Sequence, residues 1–448
     1  MFLHSLSILS PTLKILVIFC LTLVASRLRL PLGLALAAGG ILLDLWAGRT
    51  PALVSADIAA TLAAPSLWLM LLDVTLILEF GYFMAARPNA RAIIAAARRL
   101  GGRHGLSLSL VLVPAAIGLV PMPGGALFSA PLVGESVHGR SLPQAWQAMV
   151  NYWFRHVIEY WWPLYPVIIV SFSIFSLPSW KFFALQMPFS AVAILAGWYF
   201  ILRPRRELLH DDRPDQTPPA SRLGPVLTPI LIVVASAILL PLPLTTLLPT
   251  FAPATVKLLA MLAGLVVGLA LLAWQSHSTL SARPREVADD EAMPRLFANL
   301  FGAKTLEVIV TLGGVMVFQD LLKRSGLLPL AGAELASAHV PLEAIIAFLP
   351  FLAGLVTGIA IGFGGTAFPL VLGLATPETG ISQAAVLVLA FSAGYAGMML
   401  SPIHLCYILT LRFFCVRLPD TLRYIVPCVT SVLLFGILMH LLVRLAGW

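Results

Sequence analysis

The chain has 448 residues, of which 59% are hydrophobic and only 11% charged, against about 25% charged in a soluble domain. Apolar runs of about 20 residues, enough to cross a bilayer, recur along its whole length, which excludes a soluble globular protein and places the lipid bilayer among its partners. The net charge of +8 then belongs to loops at the membrane surface, and no nucleic-acid partner is expected.

In chain order, the first apolar segment covers residues 9–25 and is followed, not preceded, by Arg27 and Arg29. That charge order suggests a retained first helix with its N-terminus outside rather than a cleaved signal peptide. Segments 30–47 and 58–86 follow, then a glycine-rich stretch over 106–135, a long apolar segment over 143–177 and another over 180–202. Residues 203–223, beginning "RPRRELLHDDRPDQTPPASR", are polar and proline-rich and read as a linker. The second part offers segments 224–242, 252–274 and 300–322, a glycine-rich stretch over 341–375, a long segment over 380–416 and a last one over 422–446. Cys20, Cys406, Cys415 and Cys428 are scattered through apolar sequence without metal-ligand spacing, and read as small hydrophobes. No metal is expected.

The glycine-rich stretches do not suit plain spanning helices. In "GLVPMPGGALFSAPLV", Pro121, Pro123, Gly124 and Gly125 fall together near the middle of the segment. Each proline removes a helical hydrogen bond and clashes with the preceding turn. Irregular backbone at membrane depth survives only when buried in protein or lining a cavity. A re-entrant hairpin with two legs of about 15–18 Å is therefore expected over 106–135. Its counterpart over 341–375 carries Gly358, Gly362, Gly364, Gly365 and Thr366. The long segments are also expected to break, the first at Pro163 and Pro166, the second at Gly394, Gly397 and Pro402.

The two parts match. Pro114-x-x-x-Gly118-Leu-Val recurs 236 positions on as Pro350-x-x-x-Gly354-Leu-Val, and Gln144-Ala and Pro163 recur 239 positions on as Gln383-Ala and Pro402. Residues 1–202 and 224–448 thus read as a duplication. With five crossings each, the second copy is inverted. Arg27, Arg29, the arginines between 87 and 103, Arg140, the linker arginines, Arg283, Arg285, Arg295, Arg412, Arg417 and Arg423 then collect on one side, leaving only a handful such as Arg49, Lys323 and Arg324 on the other. The positive-inside rule makes the crowded side cytoplasmic and puts both termini outside. Inverted repeats with discontinuous helices are a transporter design.

Charged side chains inside such segments cost about 2.5–3.5 kcal/mol each on insertion scales. "NYWFRHVIEYWWPLYP" nevertheless holds Arg155, His156 and Glu159, with Arg155 and Glu159 one turn apart and Asn151 a turn before them. A self-neutralising staple between helices is one reading; a proton-coupling or anion site is the other. Ser401 and His404 stand beside the second break, with His404 paired in the repeat with Tyr165. Ser129 follows the first hairpin tip. Asp73 and Glu79 are carboxylates suited to ion coupling or to pairing with an arginine. No nucleophile–base spacing suggests an enzyme.

Together, "MPGGALFSAP", "NYWFRHVIEYWWPLYP" and "LSPIHLCYILT" resemble domain-of-unknown-function family 401, an uncharacterised family grouped with the ion transporter superfamily beside divalent-anion/sodium symporters, citrate transporters and gluconate permeases. The resemblance implies an all-α polytopic membrane protein with about ten transmembrane segments, two re-entrant hairpins and an elevator-type architecture, working as a homodimer. It implies that the hairpin tips and helix breaks surround the substrate. Here those are Pro121, Pro123, Gly124, Gly125 and Ser129; Gly362, Gly364, Gly365 and Thr366; Asn151, Arg155, His156 and Glu159; and Ser401 with His404. The Ser-Asn-Thr signatures of the sodium-coupled branches are missing, so H+ is favoured over Na+ as coupling ion, with no other cofactor. The expected function is secondary transport of a small organic anion across the cytoplasmic membrane of a prokaryote. The alternative is a cation/proton antiporter using Glu159, Asp73 or Glu79.

Overall fold

The computed structural model describes residues 9–84, 106–121, 125–209, 223–280, 302–375 and 379–448. Among these every regular element is helical. The first part runs α1 (Pro11–Arg27), α2 (Leu32–Trp46), α3 (Pro51–Ala63), α4 (Pro65–Met84), α5 (Leu106–Gly118), α6 (Ala126–Ser136), α7 (Gln144–His156), α8 (Pro166–Ile174) and α9 (Ser179–Gly197). The second runs α10 (Leu223–Leu239), α11 (Pro241–Leu247), α12 (Pro253–Leu280), α13 (Ala303–Arg324), α14 (Leu327–Ser337), α15 (Leu342–Thr357), α16 (Ala360–Leu374), α17 (Gln383–Leu400), α18 (Leu405–Phe413) and α19 (Leu418–Leu445).

Local chemistry sets the boundaries. Ser10, Thr50 and Ser382 accept the backbone N–H three residues on, capping α1, α3 and α17. Proline occupies the first turn of α1, α3, α8 and α11, where its missing N–H costs nothing. Pro65 also divides the expected 58–86 segment into α3 and α4, because a proline disfavours helical backbone in the residue before it. The first residues of the expected linker, 203–209, are a 3₁₀ turn continuing α9 through a π-turn at Trp198–Leu202.

Among the described residues, six stretches are long and apolar enough to cross a membrane, and the bent pair Leu227–Leu239 and Pro241–Leu247 raises this to seven. The expectation of about ten also counted segments such as α2, whose 15 residues span only about 22 Å. Burial separates two kinds of crossing. The Gln383–Phe413 window is 94% buried inside the protein, whereas the Leu418–Leu445 window is 33% buried and turns Leu434, Leu438, Leu441 and Leu445 outward. The first is the axis of the bundle, and the second has the composition of a lipid-facing helix.

The packing falls into two sets. α5–α9 and α15–α19 pack chiefly on one another, as do α1–α4 with α10–α14. Within the first set the two parts of the chain are interlaced: α6 packs on α18, and α16 on α8. At one end of the second set, Arg49 and Arg324 share the Asp57 carboxylate at 2.5 and 2.9 Å. Arg140 donates to the Leu208 carbonyl beside Arg203–Arg206. Arg49 and Arg324 thus meet on one carboxylate, and Arg140 meets the start of the linker.

Candidate functional site

Two hairpin-like pairs, α5/α6 and α15/α16, pack against two interrupted helices, α7–α8 and α17–α18. The first interruption, residues 157–165, places the aromatics of "EYWWPLYP" against the preceding hairpin. Trp162 Nε1 donates to the Leu119 carbonyl at 2.8 Å, and Tyr165 Oη to the Gly118 carbonyl at 2.7 Å. These carbonyls end α5 and lack helical partners, so a donor from the break satisfies them. Gly118 is needed here, because a Cβ would sit 2.1 Å from the Arg155 carbonyl oxygen.

The second break, residues 401–404, is tied to its hairpin in the same manner. Ser401 Oγ donates to the Leu355 carbonyl at 2.7 Å, and His404 Nδ1 lies 2.7 Å from the Gly358 carbonyl. A Cβ on Gly354 would lie 2.1 Å from the Gly394 carbonyl oxygen. Two of the contacts correspond position by position: Gly354 and Leu355 follow Gly118 and Leu119 by 236 residues, and Gly394 and Ser401 follow Arg155 and Trp162 by 239. His404, 239 positions after Tyr165, instead reaches Gly358, beyond the counterpart of Gly118.

Between the two breaks lies a buried polar cluster. Arg155 NH1 is 3.6 Å from Glu159 Oε1, which is 3.9 Å from His156 Nε2. His156 Nε2 lies 3.2 Å from His404 Nε2 and 3.5 Å from Arg155 NH1. Tyr395 Oη reaches both Glu159 Oε2 at 3.1 Å and the His156 carbonyl at 2.7 Å. Asn151 Nδ2 donates to the Ala126 carbonyl and to Thr410 Oγ1, both at 3.1 Å, while its Oδ1 meets no protein donor. The residues are closed from the surface, Arg155 and His156 at 2%, Glu159 at 5% and His404 at 8% exposure. This closed cluster gathers one guanidinium, one carboxyl group and two imidazoles.

Of the residues singled out in the sequence, Arg155, His156, Glu159 and His404 meet in this cluster; Asn151 lies a turn earlier on α7 against Ala126 and Thr410, and Ser401 lies in the second break against Leu355. Ser129 is fully buried on α6, its hydroxyl directed at the same Ala126 carbonyl that Asn151 holds. Pro121 caps the end of α5, its carbonyl against Gly81 of α4, and Gly125 opens α6. Pro123 and Gly124 lie outside the described residues.

Three expectations change. The turn of the second hairpin is at Gly358–Ile359, where Gly358 takes a left-handed φ of +66° that suits glycine. Gly362, Gly364, Gly365 and Thr366 are inside α16. Thr366 bonds back to the Gly362 carbonyl, while Gly364 and Gly365 pack on Val167 and Val315 rather than on the cluster. Gly394 and Gly397 do not break α17, which is helical to Leu400; they let α15 approach closely, with Gly397 against the Phe351 carbonyl. Cys406 is more than a small hydrophobe. Its Sγ and the ring nitrogens of His156 and His404 all lie within 4.8 Å of one another, a grouping of three metal-capable donors. The ordering roles of Tyr152, Tyr395 and Cys406 were not legible, since each reads as core in an apolar segment.

Asp73 is fully buried on α4, and neither carboxylate oxygen meets a protein hydrogen-bond donor. Glu79 is buried on the same helix. Lys257 of α12 is a buried cation the sequence reading passed over. Its Nζ lies 3.3 Å from the Phe175 carbonyl and 3.5 Å from that of Phe172, at the C-terminal end of half-helix α8, where a positive charge is favoured.

The family model described as "Protein of unknown function (DUF401)" matches residues 12–443. The chain therefore belongs to that family, whose match spans both hairpins, both breaks and the polar cluster. No curated protein matches the chain.

Proposed function

We propose that the protein is a secondary active transporter that moves a small carboxylate-like anion across the cytoplasmic membrane of a prokaryote, coupled to protons rather than sodium. The observation that carries this reading is Arg155, buried with Glu159 and two histidines at the meeting point of two hairpins and two helix breaks. A guanidinium offers a fork of donors matched to a carboxylate. A charged group in the interior of a membrane protein is a functional-site candidate by default. Displacing Glu159 from Arg155 would free that fork for a substrate carboxylate, and Tyr395 and His156 would receive the displaced acid.

The matched glycine and carbonyl contacts in the two halves support an inverted repeat, with residues 1–202 and 224–448 as its copies and both termini outside. The two packing sets support a mobile transport unit of α5–α9 with α15–α19 against a scaffold of the remaining helices, the division an elevator mechanism needs. In this reading the protein works as a homodimer joined through the scaffold. The alternative, a cation/proton antiporter, is favoured by one feature: Asp73 offers a buried carboxylate without a protein donor.

The test is the melting temperature of detergent-purified protein with mono-, di- and tricarboxylates, at two pH values, with and without sodium. A ligand present at a hundred times its Kd stabilises the folded state by about 2.7 kcal/mol. The expected result is a carboxylate shift in the wild type that is lost in Arg155→Gln. Shifts with sodium or pH alone, unaffected by any anion and abolished by Asp73→Asn, would replace this reading with the antiporter.

A further inference from the structure

His156 and His404 come from opposite halves of the chain, yet each is held by the same kind of contact. Nδ1 of His156 is 2.6 Å from the Tyr152 carbonyl, and Nδ1 of His404 is 2.7 Å from the Gly358 carbonyl. A carbonyl oxygen only accepts, so each Nδ1 carries a hydrogen. In a neutral imidazole the other nitrogen then bears only a lone pair. The two Nε2 atoms face each other at 3.2 Å, with the rings edge-on at 67°, and the nearest other donor is the Arg155 guanidinium, 3.5 Å from His156 Nε2. Two lone pairs at that distance repel. One proton between them turns the contact into an N–H···N hydrogen bond, at the long end of the usual range; two protons would restore the repulsion as charge.

The surroundings decide what fills that gap. Facing the pair are Arg155 and Glu159 from α7 and the break after it, Tyr152 from α7, Tyr395 from α17, and Cys406 and Tyr407 from α18. Cys406 supplies a third donor for a metal ion. However, a zinc ion about 2.0–2.1 Å from each nitrogen would sit beside the Arg155 guanidinium, 3.5 Å from the same Nε2. A proton places less charge there and needs no further ligands. Arg155 and Glu159 cancel, so a proton on the pair leaves the closed cluster with a charge of one, which a bound monoanion offsets.

We propose that His156 and His404 hold a single proton between their Nε2 atoms, and that this proton is taken up together with one monoanionic carboxylate. The pairing of proton with substrate rests on the transporter reading; the shared proton rests on the ring geometry and the groups packed around it. Linkage is reciprocal: the anion raises the pair's hold on its proton by the factor with which the proton raises the affinity for the anion.

Two measurements on the full-length protein in detergent test it. The first is the ¹⁵N spectrum of histidine-labelled protein across pH, without ligand, with His156→Gln and His404→Gln used to assign the signals. The expected result is an Nδ1–H tautomer in both rings and one protonation step shared by both Nε2 atoms. Independent titration of the rings, a Nε2–H tautomer in either, or a stoichiometric transition metal in the purified protein would overturn the shared proton. The second is calorimetry of carboxylate binding in buffers of different ionisation enthalpy. One proton taken up per anion is expected, with affinity falling about tenfold per pH unit above the pair's titration, and that dependence flattened in His404→Gln. Carboxylate binding without proton uptake would overturn the coupling while leaving anion transport standing. A shared proton in a protein that binds no carboxylate would sink the transport reading and the coupling, but not the pair.

Discussion

The two helix breaks are built on one plan and filled with different chemistry. In each, a glycine ending or nearing the end of a hairpin leg sits against a carbonyl of the interrupted helix, and side chains of the break bind hairpin carbonyls. The backbone contacts are nearly superimposable in register, but the side chains are not. Arg155, His156 and Glu159 correspond to Gly394, Tyr395 and Met398. One break therefore carries the charges, and the other supplies the apolar packing and the hydroxyl that hold them. Backbone geometry constrains both breaks alike, because a main-chain clash admits no repair. Charge occurs in one only, and a second buried ion pair would add its own desolvation cost.

This contrast can be broken in order of expected effect. Arg155→Gln leaves the Glu159 carboxylate buried and unpaired, and removing one partner of a buried pair costs about 3–5 kcal/mol. The Arg155→Met, Glu159→Met double variant copies the methionine found at the corresponding position 398 and removes both charges together. It is expected to recover most of that loss while binding no carboxylate, as measured by denaturation in mixed micelles and by thermal shift. A double variant as unstable as the single would mean that the pair organises the breaks and not merely the substrate. Gly118→Ala and Gly354→Ala come next. Each is expected to cost about 3 kcal/mol, the top of the ordinary overpacking range, because the clash is with a carbonyl oxygen at 2.1 Å in both copies. The yield of monodisperse protein should fall alike for the two; a marked difference would separate the copies where the geometry joins them.

The smallest effects belong to the hairpin clasps. Trp162→Phe and Ser401→Ala each leave one carbonyl without its side-chain donor, a loss of about 1–2 kcal/mol. Hydrogen exchange at the end of α5 should rise in the first variant and at the end of α15 in the second. Protection lost at both ends in either variant would show the hairpins to be coupled through the cluster.

By itself the sequence determined the membrane character, the order of segments, the two glycine-rich stretches, and the charged residues that do not belong in lipid. Each of these follows from composition or local spacing: apolar run length, prolines clustered mid-segment, and Arg155, His156 and Glu159 within two helical turns. Where a glycine's role depended on a distant neighbour, the reading failed. Gly394 and Gly397 read as helix breakers, yet a tight crossing with α15 keeps their helix intact. Gly364 and Gly365 read as a turn, but the positive φ belongs to Gly358. Only the tertiary structure brought His404 to His156 across 248 residues, with Cys406 and Tyr395 around them. Contacts within each half show in the sequence through matching spacing. The contact between the halves leaves no such signal, because the matched residues there differ in chemistry.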